Sequence, residues 1–163
     1  PGGKMGVHTG LLNVARSPSQ LAAVMGHEVA HVLARHGNER MSGKMASQMG
    51  MGAITILAGG ASTEKQKLLG LLGVGTQIGM MKLRRTHESE ADIMGLKLMA
   101  RAGFDPTESV ALWQNMGASS GGQAPPEFMS THPSHVTRIS DLRAAMPEAL
   151  ALYNPNGPGS RCR

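Results

Sequence analysis

Two histidines four residues apart, His27 and His31 in "VMGHEVAHVLARHG" (24–37), constrain this chain more than any other feature. On a helix, positions four apart share a face, so both imidazoles can aim at one point, with Glu28 one step round from His27. Buried polar groups need partners. Either these side chains are satisfied within a core, or they grip a metal ion that lacks a further ligand. The surrounding sequence predicts the helix itself. In "SPSQ" (17–20), Ser17 is placed as N-cap, Pro18 at the first helical position and Gln20 three residues on, for a helix running to about His36 and stopping at Gly37.

At 163 residues the chain is one domain-sized unit. Aromatic residues make up 2% and methionines number 13, so Met, Leu, Ala and Val must fill the core, which favours helix on helix over an aromatic-rich sandwich. The net charge is +5, but the Lys and Arg residues are scattered and there are almost no aromatics to stack on bases, which argues against nucleic acid as a partner. The single cysteine, Cys162, can form no internal disulfide. The opening "PGGKMGVHTG" has neither a Met start nor a signal-like apolar run, and reads as an N-terminally truncated or processed form. The longest uncharged run, Met45 to Thr63, has membrane-spanning length. Its Ser47, Gln48, Thr55, Ser62, Thr63 and four glycines favour a loop and helix near the candidate site instead.

Elsewhere, "KMGVHTGLL" (4–12) reads as a strand. A capping box at "TEKQ" (63–66) opens a helix to about Leu83, and "RRTHESEADIMGLKLMARAG" predicts another ending at Gly103. "DPTE" (105–108) caps a helix containing Trp113, "SSGGQAPPEF" (119–128) is a loop, and a last helix covers about 134–146. The expected organisation is a domain over 1–153 and a disordered polar tail over 154–163.

A catalytic zinc usually takes three protein ligands and leaves one position open. In the extended pattern HExxHxxGxxH the third histidine would stand at 37 after a glycine at 34; the residues there are Gly37 and Ala34, so that class is excluded. His36 falls one residue short and reads as a helix-end histidine at the C-terminal dipole. The alternative source is "HESEAD" (87–92). Glu88 and Asp92 share a helical face, while Glu90 lies about 200° round from Glu88. Alone, a solvated acidic face would be the simpler reading, since like charges at i and i+4 destabilise a helix. A dication held by an upstream HEVAH reverses that sign, which assigns Glu88 as third ligand and Asp92 as acceptor of a ligand-histidine N–H.

The blocks "PGGKMGVHTGLL", "MGHEVAHVLARH", "RRTHESEAD", "MARAGFDP" and "THPSHVTRISDL" together resemble the HtpX and CAAX-prenyl-endopeptidase family of zinc metallopeptidases, in its soluble LoiP/BepA/Oma-like branch. The resemblance implies a mainly α (α+β) gluzincin metallopeptidase domain, a helical bundle with a small β-sheet. It implies one Zn2+ per chain on His27, His31 and Glu88, and Asp92 in the ExxAD block. It also implies a catalytic part for His132 of the His-Pro block, as transition-state donor or as inhibitory fourth ligand. Arg85 and Arg138 match family arginines, with a structural ion pair as the simpler role for both. The expected reaction is hydrolysis of peptide bonds in unfolded or misassembled polypeptides, with Glu28 as general base. The implied setting is the bacterial periplasm or peripheral association with a membrane. Two other readings stand beside it: a latent, chaperone-like zinc module with its fourth position blocked, and a helical protein without metal.

Overall fold

The computed structural model describes residues 4–57, 62–119, 132 and 137–162. Six α-helices occur among them: α1 (Thr9–Leu12), α2 (Pro18–Leu33), α3 (His36–Leu57), α4 (Thr63–Arg101), α5 (Glu108–Ser119) and α6 (Arg138–Leu152), followed by a 3-10 turn at Pro158–Arg161. The chain is therefore mainly α. No strand occurs among the described residues. The chain divides into two units, one of Pro1–Leu33 with Glu88–Arg163, the other of Ala34–His87.

In the first unit α2 packs on α5 and α5 on α6, around Leu96, Leu112, Met116 and Leu142, each at most 2% exposed. Burying side chains of this size contributes about 1.5–3 kcal/mol each before entropy is set against it. The start of α2 is capped as its sequence predicts: the Gln20 N–H donates to Ser17 Oγ at 3.1 Å. The Gln20 side chain reaches one residue further back than a standard capping box, accepting from the Arg16 N–H at 2.8 Å.

Two glycines fix how α2 meets α4. A Cβ on Gly26 would stand 2.7 Å from the Gly95 carbonyl oxygen, and one on Gly95 would stand 2.7 Å from the His27 backbone nitrogen. The helices thus touch backbone to backbone at the HEVAH segment. Gly95→Ala is expected to force them apart at a cost of about 1–3 kcal/mol, seen as a lower thermal midpoint in circular dichroism; an unchanged midpoint would contradict the close approach.

Several sequence expectations are corrected. Residues 4–8 form no strand and Thr9–Leu12 is a helical turn. Leu11 is drawn into the core, 3% exposed, and its N–H bonds the His8 carbonyl three residues back, a local pairing that an extended strand could not make. α2 stops at Leu33, because Arg35 adopts a left-handed φ of 58° that breaks the helix before Gly37 is reached. His36 then opens α3 instead of closing α2, and it is buried against the His87 ring, with centroids 4.1 Å apart in a stacked arrangement. Of the run 45–63, expected as a loop and helix, residues 45–57 are helical throughout, and 58–61 lie outside the described residues. The two helices expected over 63–103 are one 39-residue helix, since neither proline nor a cap interrupts them; it spans the division between the units. α4 does end where expected, with Gly103 at φ 90° and the Phe104 N–H returning to the Met99 carbonyl.

The polar tail packs instead of trailing away. Asn154 N–H donates to the Ala100 carbonyl and Gly159 N–H to that of Ala102, and Gly103 leaves room for the Gly157 backbone. α6 continues beyond its expected end, through Pro147 to Leu152. The loop expected at 119–128 lies outside the described residues except for Ser119, as does residue 163.

Candidate metal centre

Four side chains of the first unit converge: His27, His31, Glu88 and His132 each offer one donor atom, all within 4.8 Å of one another. His27 Nε2 lies 3.0 Å from His31 Nε2, one helical turn along α2. The carboxylate of Glu88, on α4, stands 3.3 Å from His27 Nε2 through Oε2 and 3.4 Å from His31 Nε2 through Oε1. His132 Nδ1 is 3.1 Å from Glu88 Oε2 and 3.2 Å from His27 Nε2, while its Nε2 is 3.2 Å from Glu28 Oε1. His27 and Glu88 are buried, and Glu28 is partly open to solvent.

The backing of His27 decides what its inner nitrogen can do. His27 Nδ1 donates to Asp92 Oδ1 at 2.8 Å. In the neutral ring this leaves a lone pair on Nε2, directed into the cluster. Asp92 is itself clamped by Arg138, whose Nη2 donates to Oδ1 at 2.7 Å and whose Nε donates to Oδ2. The Arg138 guanidinium lies over the Trp113 ring, 3.6 Å from its centroid, and the side chain is 1% exposed. Burial alone would raise the Asp92 carboxyl; the His27 hydrogen bond and the Arg138 charge outweigh it and hold the group lowered. Likewise burial opposes ionisation of Glu88, but hydrogen bonds from His132, His27 and His31 hold it well below the usual carboxylate range. For His27, burial favours the neutral ring, yet the bonds to Asp92 and Glu88 leave its pKa raised above 6.5.

This donor set fits a metal ion. A lone-pair nitrogen and an ionised carboxylate pointing at one spot are a cation's ligands, and nitrogen with oxygen donors suits zinc among others. Asp92→Asn keeps the acceptor for His27 Nδ1–H but leaves Arg138 without its countercharge. It is expected to weaken metal affinity about 10–100-fold, read by chelator competition; unchanged affinity would mean that Asp92 does not tune the site.

The structure brings residues from "HEVAH" and "HESEAD" together, and Glu90 is exposed, off the site. His36 stays outside the four-residue group. Arg138 is the buried ion-pair partner of Asp92, whereas Arg85 is exposed on the part of α4 that belongs to the second unit. Sequence reasoning missed one contributor, Trp113, the chain's single tryptophan, whose position under an arginine no local spacing encodes. Met5–His8, overlapping the "GVHTG" stretch, walls with Leu11, Val24 and Met25 a cleft of about 110 Å³ that opens on Glu28 and His132.

Two histidines one helical turn apart, a glutamate from a second helix and a further histidine beside them form a group that could hold a metal ion. The model of peptidase family M48 matches residues 1–146, and the chain belongs to that family. It is 35% identical to the mitochondrial metalloendopeptidase OMA1 of Saccharomyces cerevisiae, over 94% of this chain and 44% of that protein. It is 40% identical to the OMA1 of Schizosaccharomyces pombe, over 91% and 43%. With the beta-barrel assembly-enhancing protease of Escherichia coli K12 it shares 31% identity, over 87% and 30%. The chain thus spans less than half the length of these curated relatives. No solved structure matches it.

Proposed function

We propose that this chain is the catalytic domain of a zinc metalloendopeptidase that hydrolyses peptide bonds of unfolded or misassembled proteins. The observation that carries the reading is the convergence of His27, His31 and Glu88 with Glu28 alongside, in a chain of the M48 family. His27, His31 and Glu88 would hold zinc, His27 being oriented by Asp92 and Asp92 by Arg138. Zinc there would supply Lewis acidity, making water nucleophilic at neutral pH and polarising the scissile carbonyl. Glu28, one residue from the first ligand and open to solvent, takes the proton of the attacking water and returns it to the leaving amine. His132 Nε2, beside Glu28, donates to the oxygen that becomes negative as the carbonyl is attacked. A substrate backbone laid along the non-helical segment 5–8 as an added strand would reach Glu28, and such pairing is nearly blind to sequence. That recognition suits protein quality control, as do the names of the relatives. Periplasmic or membrane-associated residence is proposed from the same relatives; among the described residues no helix is long and apolar enough to cross a membrane.

One observation favours a second reading. His132 Nδ1 belongs to the same four-atom group as the three ligands, so it can also take a fourth position and hold the centre latent. The test is cleavage of a casein-like unfolded polypeptide by the zinc-loaded chain, lost on chelation and restored by zinc. Cleavage of that kind supports the catalytic reading. A zinc-loaded chain that cleaves no unfolded substrate, but does so as His132→Ala, supports the latent one.

A further inference from the structure

The positive charge of this chain is not spread evenly. Residues 34–87 hold eight Lys and Arg against two Glu, a net charge of +6, while the rest of the chain is net −1. Apolar side chains stand in solvent on the same unit. On α3, Met41, Met45 and Met49 recur one turn apart on one face, with Ile56 further along it, and are 57–80% exposed. On α4, Leu68, Leu71 and Ile78 are 57–70% exposed. Between them in charge, Arg40, Lys44, Lys67, Lys82 and Arg85 are all exposed.

We propose that the unit of residues 34–87 docks on the surface of an anionic lipid bilayer. Basic residues whose aliphatic stems lie beside exposed Met, Leu and Ile are the composition of an interfacial helix, with apolar groups entering the headgroup boundary and cations meeting lipid phosphates. Charge complementarity singles out this occupant. A second copy would bring another +6 surface against the first. Nucleic acid would meet no Phe, Trp or Tyr ring to stack on, since 34–87 contains none, and His36 and His87 are buried. A peptide seated in the groove between α3 and α4 would meet Met51, Met80 and Met81 beside Lys44 and Arg84, but would leave Met41, Met45, Met49, Leu68, Leu71 and Ile78, none of which lines that groove, in solvent. These apolar side chains are exposed and lie outside that groove, where a fluid bilayer can meet them. Docking would hold the first unit's centre at a membrane where damaged membrane or envelope polypeptides are exposed; the docking itself does not depend on the catalytic reading.

The test is cosedimentation of the whole chain with phosphatidylcholine vesicles, and with vesicles that also contain phosphatidylglycerol. Binding is expected to the anionic vesicles only, to weaken as salt rises, and to persist in chelator. Lys44→Ser and Lys82→Ser are each expected to weaken it about fivefold. Met45→Ser with Met49→Ser is expected to weaken it further, with unchanged helical circular dichroism and unchanged cleavage of a soluble unfolded polypeptide. Failure to bind anionic vesicles, equal binding to both vesicle types, or undiminished binding of the Met45→Ser, Met49→Ser protein would overturn the proposal. So would a concentration-dependent dimer, seen by light scattering, that the methionine substitutions abolish. Because vesicle binding is read without catalysis, its failure leaves the peptidase reading intact, and loss of cleavage leaves this one intact.

Discussion

Glu28→Gln is expected to lower cleavage of an unfolded polypeptide by about 10²–10⁴-fold while zinc stays bound. Glutamine keeps the size of glutamate and a carbonyl oxygen within reach of His132 Nε2, which lies 3.2 Å from Glu28 Oε1. It cannot take a proton from water. Since the donors that converge are His27, His31, Glu88 and His132, the metal should not notice the change. Loss of cleavage with zinc retained therefore separates the base from the ligands. Equal activity in the variant would remove Glu28 from the mechanism, and loss of zinc would make it a ligand.

Removing a ligand has an effect of the same order by a different route. Glu88→Ala and His31→Ala are each expected to abolish cleavage and to lose zinc together. Glu88→Ala should also lower folding stability of the metal-free chain, because the carboxylate it removes is ionised in a buried place by three imidazoles that would lose their acceptor. Acidification should reach the same end in the unmodified chain. His27 has its folded pKa raised above 6.5, so as pH falls its inner nitrogen takes a proton where an ordinary histidine would still be neutral. That proton competes with the metal, so zinc content should fall as pH falls. In the metal-free chain the sign is the opposite: the stabilisation from protonated His27 is fully present below 6.5 and is lost as pH rises through the raised pKa. Titrating the zinc content of the loaded chain and the thermal midpoint of the metal-free chain against pH checks both directions.

Much of this centre was legible in the chain because helical geometry is local. Four residues make a turn, so His27 with His31 and Glu88 with Asp92 each declare a face before any fold is known. Joining the two faces rested on the want of a third ligand for the first, since 57 residues separate His31 from Glu88 and no periodicity spans them. What brings the faces together is the missing Cβ at Gly26 and at Gly95, and an isolated glycine inside a helical pattern usually signals only a weakened helix. Arg138 could be matched to the family but not weighed. Its worth lies in a carboxylate 46 residues away and a tryptophan ring beneath it. The strand expected at 4–12 failed for a physical reason: β-branched and glycine-rich composition reports a preference, and here the burial of Leu11 won. The turn at Arg35 escaped notice because a left-handed conformation normally shows itself through glycine or asparagine, and this one is borne by an arginine.

The central claim is that His27, His31 and Glu88 together hold one zinc ion. Metal analysis of the purified chain, after zinc loading and gel filtration, measures it directly. The account predicts one zinc per chain, retained in Glu28→Gln and absent from Glu88→Ala. A zinc-free chain, or one whose zinc content does not change when Glu88 is replaced, would contradict it.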